Sequence, residues 1–299
     1  MALTERIIII VGPTASGKTA LAIALAKKLN GEIISADSRQ LYRGLDIGTG
    51  KVTTAEMDGI SHHLLDVADP SSTYTAHDFA RDAREKIENI LQRGKTPIIA
   101  GGTGFYVDTL LGRIQPAAVP KNQTLRDVLA EKSEDELFQM LQTQNSVRAE
   151  GMNNSERRNK VRLIRALEIS AGKPVASLPP TPFPYPVIWL GLKPDMKQLR
   201  EKIQRRLDER LAHGMVDEVR TLHAQGLSYA RMESLGLEYR YLALFLQGKI
   251  TEADMRTQLE QKIWQYAKRQ MTYWKRNSQI RWLTHDYEKT ALETLSAMS

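Results

Sequence analysis

The chain has 299 residues, 41% of them hydrophobic and 26% charged, a make-up that suits a globular protein with a substantial core. It contains no cysteine, which excludes disulfides, thiolate metal sites and cysteine nucleophiles. The net charge is +7, and because residues 1–100 balance 12 basic against 12 acidic groups, the whole excess lies in the remainder, as expected for a surface that meets a large polyanion or for a merely alkaline one.

The first element is the apolar run Arg6-Ile7-Ile8-Ile9-Ile10-Val11, too short for a signal core or a membrane span, so a cytoplasmic protein with no membrane association is expected. Gly12-Pro13-Thr14-Ala15-Ser16-Gly17-Lys18-Thr19 follows, and then the helical pattern Ala20 to Lys28. Strand, glycine loop and helix in that order, with the spacing G-x-x-x-x-G-K-[ST], make a phosphate cradle of backbone N–H groups and a helix N-terminus. Lys18 is expected along the outer phosphates, and the Thr19 hydroxyl toward a magnesium ion.

Gly31 to Ser38 reads as a second strand ending in Asp37, which a parallel sheet would set beside the phosphate loop, with Ser38 and Gln40 just beyond. Arg39 to Lys51 is a glycine-rich loop of mixed charge with the look of a functional segment. His63 to Val67 reads as a short strand, and Ala76 to Arg93 as an amphipathic helix with Phe79, Ala83, Ile87 and Ile90 on one face. Thr96 to Ala100 is a further central strand running into Gly101-Gly102-Thr103-Gly104. NTP-hydrolysing proteins with this loop commonly end such a strand in a magnesium-holding acid. Here glycines stand in its place, either as a close backbone approach or as a simple turn, and Thr103 offers a hydroxyl. The pattern suits group transfer better than a motor or switch.

From Ile114 to about Leu178 the texture becomes helical, between the Pro-containing linkers 115–120 and 173–182. Helices are predicted over Glu134 to Gln144 and Asn159 to Ser170. Arg157, Arg158, Lys160, Arg162 and Arg165 put five basic groups in nine positions, with Arg158, Arg162 and Arg165 on one predicted face. Phosphate-backbone contact and a solvated helix face both fit that pattern. Pro186 to Leu192 returns as a strand, and Asp195 to Ala212 as a strongly charged helix that breaks at Gly214 and restarts. Arg220 is a fork donor suited to pyrophosphate, although pattern alone pairs it with Asp217 on the surface. Gln261 to His285 holds six Lys or Arg and no acid, interleaved with Trp264, Tyr266, Tyr273, Trp274 and Trp282. That mixture suits stacked bases and phosphates, with Trp264 expected in the core.

Taken together, GPTASGKTALAIALAK (12–27), GEIISADSRQLYRGLDIGTGK (31–51), HHLLDVADP (62–70) and RGKTPIIAGGTGFYVDTLL (93–111) resemble the tRNA dimethylallyltransferase (tRNA isopentenyltransferase) family. RLIRALEISAGKP (162–174), MVDEVRTLHAQGL (215–227) and QYAKRQMTYWKR (265–276) match more weakly. The resemblance implies an α/β fold: a P-loop nucleotide-kinase-like core with a parallel sheet flanked by helices (1–113 and 179–299), plus a small all-helical tRNA-binding insertion (114–178). It implies transfer of a dimethylallyl group from dimethylallyl diphosphate to the exocyclic amine of the adenosine 3′ of the tRNA anticodon, by a monomer that uses Mg2+. In that picture Gly12 to Thr19 holds the diphosphate, with Thr14, Ser16, Lys18, Thr19 and Arg220 contacting it or the metal. Asp37 is the general base, and Thr103 lies near the transferred group. Asp37, Ser38, Arg39 and Gln40, with Val161, Arg162, Leu163, Ile164 and Arg165, are implied to touch tRNA. The family's late Gly-Tyr pair is replaced in Glu233 to Arg240, where Glu238 stands for glycine. Competing readings are an adenylate isopentenyltransferase using free AMP, a P-loop small-molecule kinase, and an RNA-binding ATPase.

Overall fold

The computed structural model describes residues 6–117, 119–172 and 182–297. The chain forms two compact units, Met1–Ile114 with Pro182–Ser299, and Gln115–Thr181. The linker expected over 173–182 lies, apart from its last residue, outside the described residues.

Six strands build the sheet of the larger unit: β1 (Ile7–Val11), β2 (Gly31–Ser35), β3 (His62–His63), β4 (Thr96–Ala100), β5 (Val187–Leu192) and β6 (Arg281–Leu283). They pair in the order β3-β2-β4-β1-β5-β6, every pair parallel. Helices α1 (Lys18–Lys28), α2 (Thr54–Met57), α3 (Ala76–Gln92) and α4 (Gly104–Leu110) belong to its first segment. Helices α5 (Gln123–Ala130), α6 (Glu134–Gln144), α7 (Ser146–Glu150), α8 (Asn154–Arg157) and α9 (Lys160–Ala171) make the smaller unit. The returning segment adds α10 (Met196–Ala212), α11 (Met215–Ala224), α12 (Tyr229–Leu235), α13 (Leu237–Leu246), α14 (Glu252–Trp274) and α15 (Tyr287–Ser296).

Helices cover both faces of the sheet, which is why β1 is apolar without a break. Ile7, Ile9 and Val11 join one core cluster with Phe79 of α3, Leu199 of α10 and Ala267 of α14. Ile8 and Ile10 join the opposite cluster with Leu21 and Leu25 of α1 and Leu295 of α15. Successive side chains of a strand point to opposite faces, so one short run anchors two layers. The carboxyl ends of β1, β2 and β4 lie side by side and carry the glycine loop, Asp37 and Gly101 to Thr103.

Three expectations need correction. The strand foreseen over His63 to Val67 ends at His63, because Leu64 (φ 61°) and Asp66 (φ 55°) take left-handed backbone conformations that no strand continues through. Trp264 is only partly buried, whereas Trp274 is the fully buried indole, tilted against Trp189 at 6.1 Å between ring centres. Arg158 does not share a helix with Arg162 and Arg165. Asn159 caps α9 by accepting the Arg162 N–H, which leaves Arg158 beyond the end of α8.

Candidate active site

The loop between β1 and α1 owes its shape to a few backbone positions. Gly12 has φ 152°, and a Cβ there would lie 3.0 Å from the Leu192 carbonyl oxygen, so the loop enters against β5 only with glycine. Gly17 (φ 95°) stands at the N-cap of α1 without a side-chain cap, and the first turn of that helix carries no acid. The helix therefore presents unpaired N–H groups and the positive end of its dipole. Ser16 Oγ is buried with no hydrogen-bond partner, the kind of orphan an anion would satisfy. Lys18 Nζ donates to the Pro13 carbonyl at 2.7 Å. Burial pulls its ammonium down from the ordinary value to about 8, a pull opposed by the Asp37 carboxylate and assisted by Arg206.

Asp37 sits two residues past β2, where its carboxylate accepts the N–H of Arg39 at 2.9 Å. The exit of β2 is stitched to the exit of β4. Thr103 Oγ1 accepts the Ser38 N–H at 3.0 Å, and the Thr103 N–H donates to the Ala36 carbonyl at 3.2 Å. Gly101 is required at this crossing, since a Cβ would meet Ala36 O at 2.2 Å. The glycines after β4 thus serve close approach rather than a simple turn.

A cavity of about 840 Å³ opens over these strand ends. Thr14, Ala15, Ser16, Gly17, Lys18, Thr19, Asp37 and Gln40 line it, together with Lys202, Arg205 and Arg206 of α10. Arg206 reaches the Gly50 carbonyl at 3.3 Å, and burial, with Arg210 beside it, lowers its guanidinium to about 10, so it stays charged at neutral pH. Arg210 donates to the Gly48 carbonyl at 3.3 Å and pairs with Glu238 at 3.6 Å. Burial raises the Glu238 carboxyl while Arg210 pulls it back, so the divergent 235–240 stretch stands directly behind the site's cations.

The loop from residue 46 to 50 is held from below. Glu218 of α11 accepts the N–H groups of Asp46, Ile47 and Gly48 at 3.0, 2.6 and 3.0 Å, and the Tyr239 hydroxyl at 2.6 Å. Gln40 Nε2 then donates to the Gly50 carbonyl at 3.1 Å.

The structure therefore gathers the residues from Gly12 to Thr19, Asp37, Gln40 and Thr103 around one set of strand ends. Arg220 is not among the cavity's lining residues. It is exposed on α11 and paired with Asp217 at 2.7 Å. Arg206 of α10 does line the cavity. Its sequence signal was present: Leu199, Ile203 and Leu207 mark the core face of α10, and Lys202 and Arg206, one turn apart, flank it.

In the smaller unit, Val161 is 71% exposed and Arg162 is exposed with a bond to Glu156 at 3.0 Å. Leu163 is fully buried and Ile164 packs against the same core. Arg165 is committed to Glu168, which also takes a two-pronged contact from Arg126 and is held at about 2 by these partners, Arg126 first. In α14 and just beyond it, Lys268 lies 5.5 Å from the Trp264 ring centre, Arg269 5.8 Å from Tyr266, and Arg276 4.4 Å from Tyr273. Three of the six basic groups of that stretch are thus already set over its aromatic rings.

The sequence profile described as IPP transferase matches residues 40–277. The chain is 39% identical over 284 residues to tRNA dimethylallyltransferase 1 of Geotalea uraniireducens, covering 94% of this chain and 93% of that protein. It is 44% identical over 273 residues to tRNA dimethylallyltransferase 2 of Bacteroides fragilis, covering 90% and 88%. The crystal structure of the tRNA isopentenylpyrophosphate transferase of Bacillus halodurans is similar with a TM-score of 0.73 and 33% identity, over 98% of this chain and 95% of that one. The chain belongs to the IPP transferase family, the family of the tRNA dimethylallyltransferases.

Proposed function

We propose that this protein transfers a dimethylallyl group from dimethylallyl diphosphate to the exocyclic amine of the adenosine 3′ of a tRNA anticodon, releasing diphosphate. One observation carries the reading. A carboxylate, Asp37, shares a cavity with a phosphate loop whose Ser16 hydroxyl is buried and unpartnered and whose Lys18 is electrostatically coupled to that carboxylate. An aromatic amine is a poor nucleophile, and an allylic diphosphate departs when its negative charge is stabilised.

In this reading the amine nitrogen bonds to the allylic C1 as the C1–O bond breaks and its electron pair goes to the diphosphate. The amine proton passes to Asp37. The loop amides beyond Thr14, with the Ser16 hydroxyl, Lys18 and Arg206, hold the leaving group, and Thr103 keeps Asp37's loop in place through the Ser38 N–H. The donor set fits a magnesium ion delivered with the diphosphate. Thr19 lines the cavity, and among the described residues no cluster of three or more His, Cys, Asp or Glu could hold a metal alone. Thr19 would hold the ion together with phosphate oxygens, and the ion would neutralise charge on the leaving group. The adenine must leave its stack to reach a cavity of this kind.

The insertion, through Val161 and Arg162, and the strand-end segment Asp37 to Gln40 are assigned to the anticodon stem-loop. The enzyme acts as a cytoplasmic monomer. Among the described residues no helix is long and apolar enough to cross a membrane. Incubation with labelled dimethylallyl diphosphate and either tRNA or AMP tests the assignment. Label in tRNA supports it. Label in AMP alone replaces it with an adenylate transferase, and ATP consumption without label transfer replaces it with a kinase or ATPase.

A further inference from the structure

Gln270 lies on the buried face of α14, among Ala267, Met271 and Trp274, and is a polar residue only 6% exposed. Its carboxamide spans two loops. Oε1 accepts the Thr14 N–H at 2.8 Å, and Nε2 donates to the Gly102 carbonyl at 3.1 Å. A backbone N–H can only donate and a carbonyl can only accept, so the amide has one orientation that satisfies both. Gly102 is shaped to this contact, since a Cβ there would lie 2.1 Å from Gln270 Nε2 and 3.2 Å from its Cδ, while the nearest atom outside Gln270, Gly12 O, is 3.8 Å away.

The peptide unit that Gln270 grips is the one joining Pro13 to Thr14. Its N–H is held by Gln270, and its carbonyl, on the opposite side of the same plane, accepts Lys18 Nζ at 2.7 Å. A planar peptide cannot turn one end without turning the other. Holding the N–H therefore fixes where the carbonyl parks the lysine, and it commits the Thr14 amide to the protein.

We propose that Gln270 is a positioning residue for the diphosphate loop: by locking the Pro13–Thr14 peptide to the β4–α4 turn, it sets Lys18 and the remaining loop amides for the leaving group. It touches neither substrate. The inference rests on the loop being a diphosphate cradle, and the test separates the two ideas.

Calorimetric titration with inorganic diphosphate and magnesium reads the loop directly. Wild type binds, and Gln270→Ala binds about tenfold more weakly, the scale expected for one or two lost buried hydrogen bonds. Gly102→Ala is weakened by at least as much, because its methyl displaces the carboxamide. The double variant is no weaker than Gln270→Ala, since one bridge is lost once and the truncated side chain leaves room for the methyl. Gln270→Met, which keeps the volume, shows the same weakening with tRNA affinity within about twofold of wild type, as loss of two hydrogen bonds at the loop alone requires. Diphosphate binding by Gln270→Ala within twofold of wild type overturns the proposal, as do two single losses that multiply in the double variant. Wild type that takes up no diphosphate removes the cradle reading itself, and the proposal with it.

Discussion

Strand β2 carries an acid near each end, and the two have opposite surroundings. Glu32 is the second residue of the strand and is nearly completely buried. Arg93 forks onto both its oxygens at 2.5 and 2.6 Å, Lys95 reaches it at 2.8 Å, and His63 at 2.7 Å. These partners, Arg93 first, hold its carboxyl far below the ordinary range against the pull of burial. Asp37, five residues on, accepts a single backbone N–H among the described residues and faces a cavity. A buried charge with every lone pair answered is spent on structure. A carboxylate with lone pairs left over is available to a reacting proton.

The sharpest way to break this contrast is Asp37→Ala. Transfer falls by about 10²–10⁴, the usual worth of a positioned general base, with tRNA binding within a few-fold and an unchanged melting curve. Wild-type-like turnover would remove Asp37 as base. Glu32→Gln reverses the pattern, with stability falling by about 3 kcal/mol in denaturant titrations because Arg93 and Lys95 lose their counter-charge, while turnover per folded molecule stays intact. Since the folded Glu32 carboxyl lies below its unfolded value of 4.5, its stabilisation is complete above that value and is lost progressively as pH falls from there through the lower folded value. Glu32→Gln should therefore flatten the acid limb of the stability profile, and an unaltered limb would assign that limb elsewhere.

Lys18 gives a smaller, pH-dependent effect. Its ammonium titrates near 8 in the free protein, and a bound diphosphate favours the charged form. Diphosphate affinity should stay level below about pH 8 and weaken above it by up to about tenfold per unit, as the lysine must take up a proton on binding. Lys18→Met abolishes that lysine-dependent slope, and an identical profile in the variant would contradict the assignment. The smallest effect belongs to Arg220→Ala, within about twofold of wild type as for an exposed ion pair, whereas Arg206→Ala weakens diphosphate binding by about 10–100-fold.

That last pair shows where the sequence stops being readable. The glycine loop, Asp37 and the strands around them follow from local spacing, because strand, turn and helix within thirty residues determine one another. Which arginine of a later helix meets the cavity depends on how α10 and α11 pack, and both carry arginines of equal local promise. The strand read over His63 to Val67 failed for a similar reason. Leu64, Leu65 and Val67 suit a strand, but Lys51 binds Asp66 at 2.5 Å, and the chain there turns to a partner fifteen residues away instead of continuing the sheet. The support under the 46–50 loop is more distant still, since Glu218 and Tyr239 come from α11 and α13. The basic stripe of residues 157–165 is legible as composition, but composition does not show the Asn159 cap that divides it.

The bridge from Gln270 to Thr14 joins residues 256 apart in the chain. During synthesis the glycine loop emerges long before the glutamine that braces it, and β1 must also wait for β5 to complete its pairing. The larger unit is interrupted by the insertion, so its two halves meet only when the second arrives. A nascent chain of this protein therefore carries an unbraced, basic anion loop through most of translation, and competence for diphosphate is acquired late and all at once. Truncation just before α14 should leave a loop of unchanged sequence that no longer works.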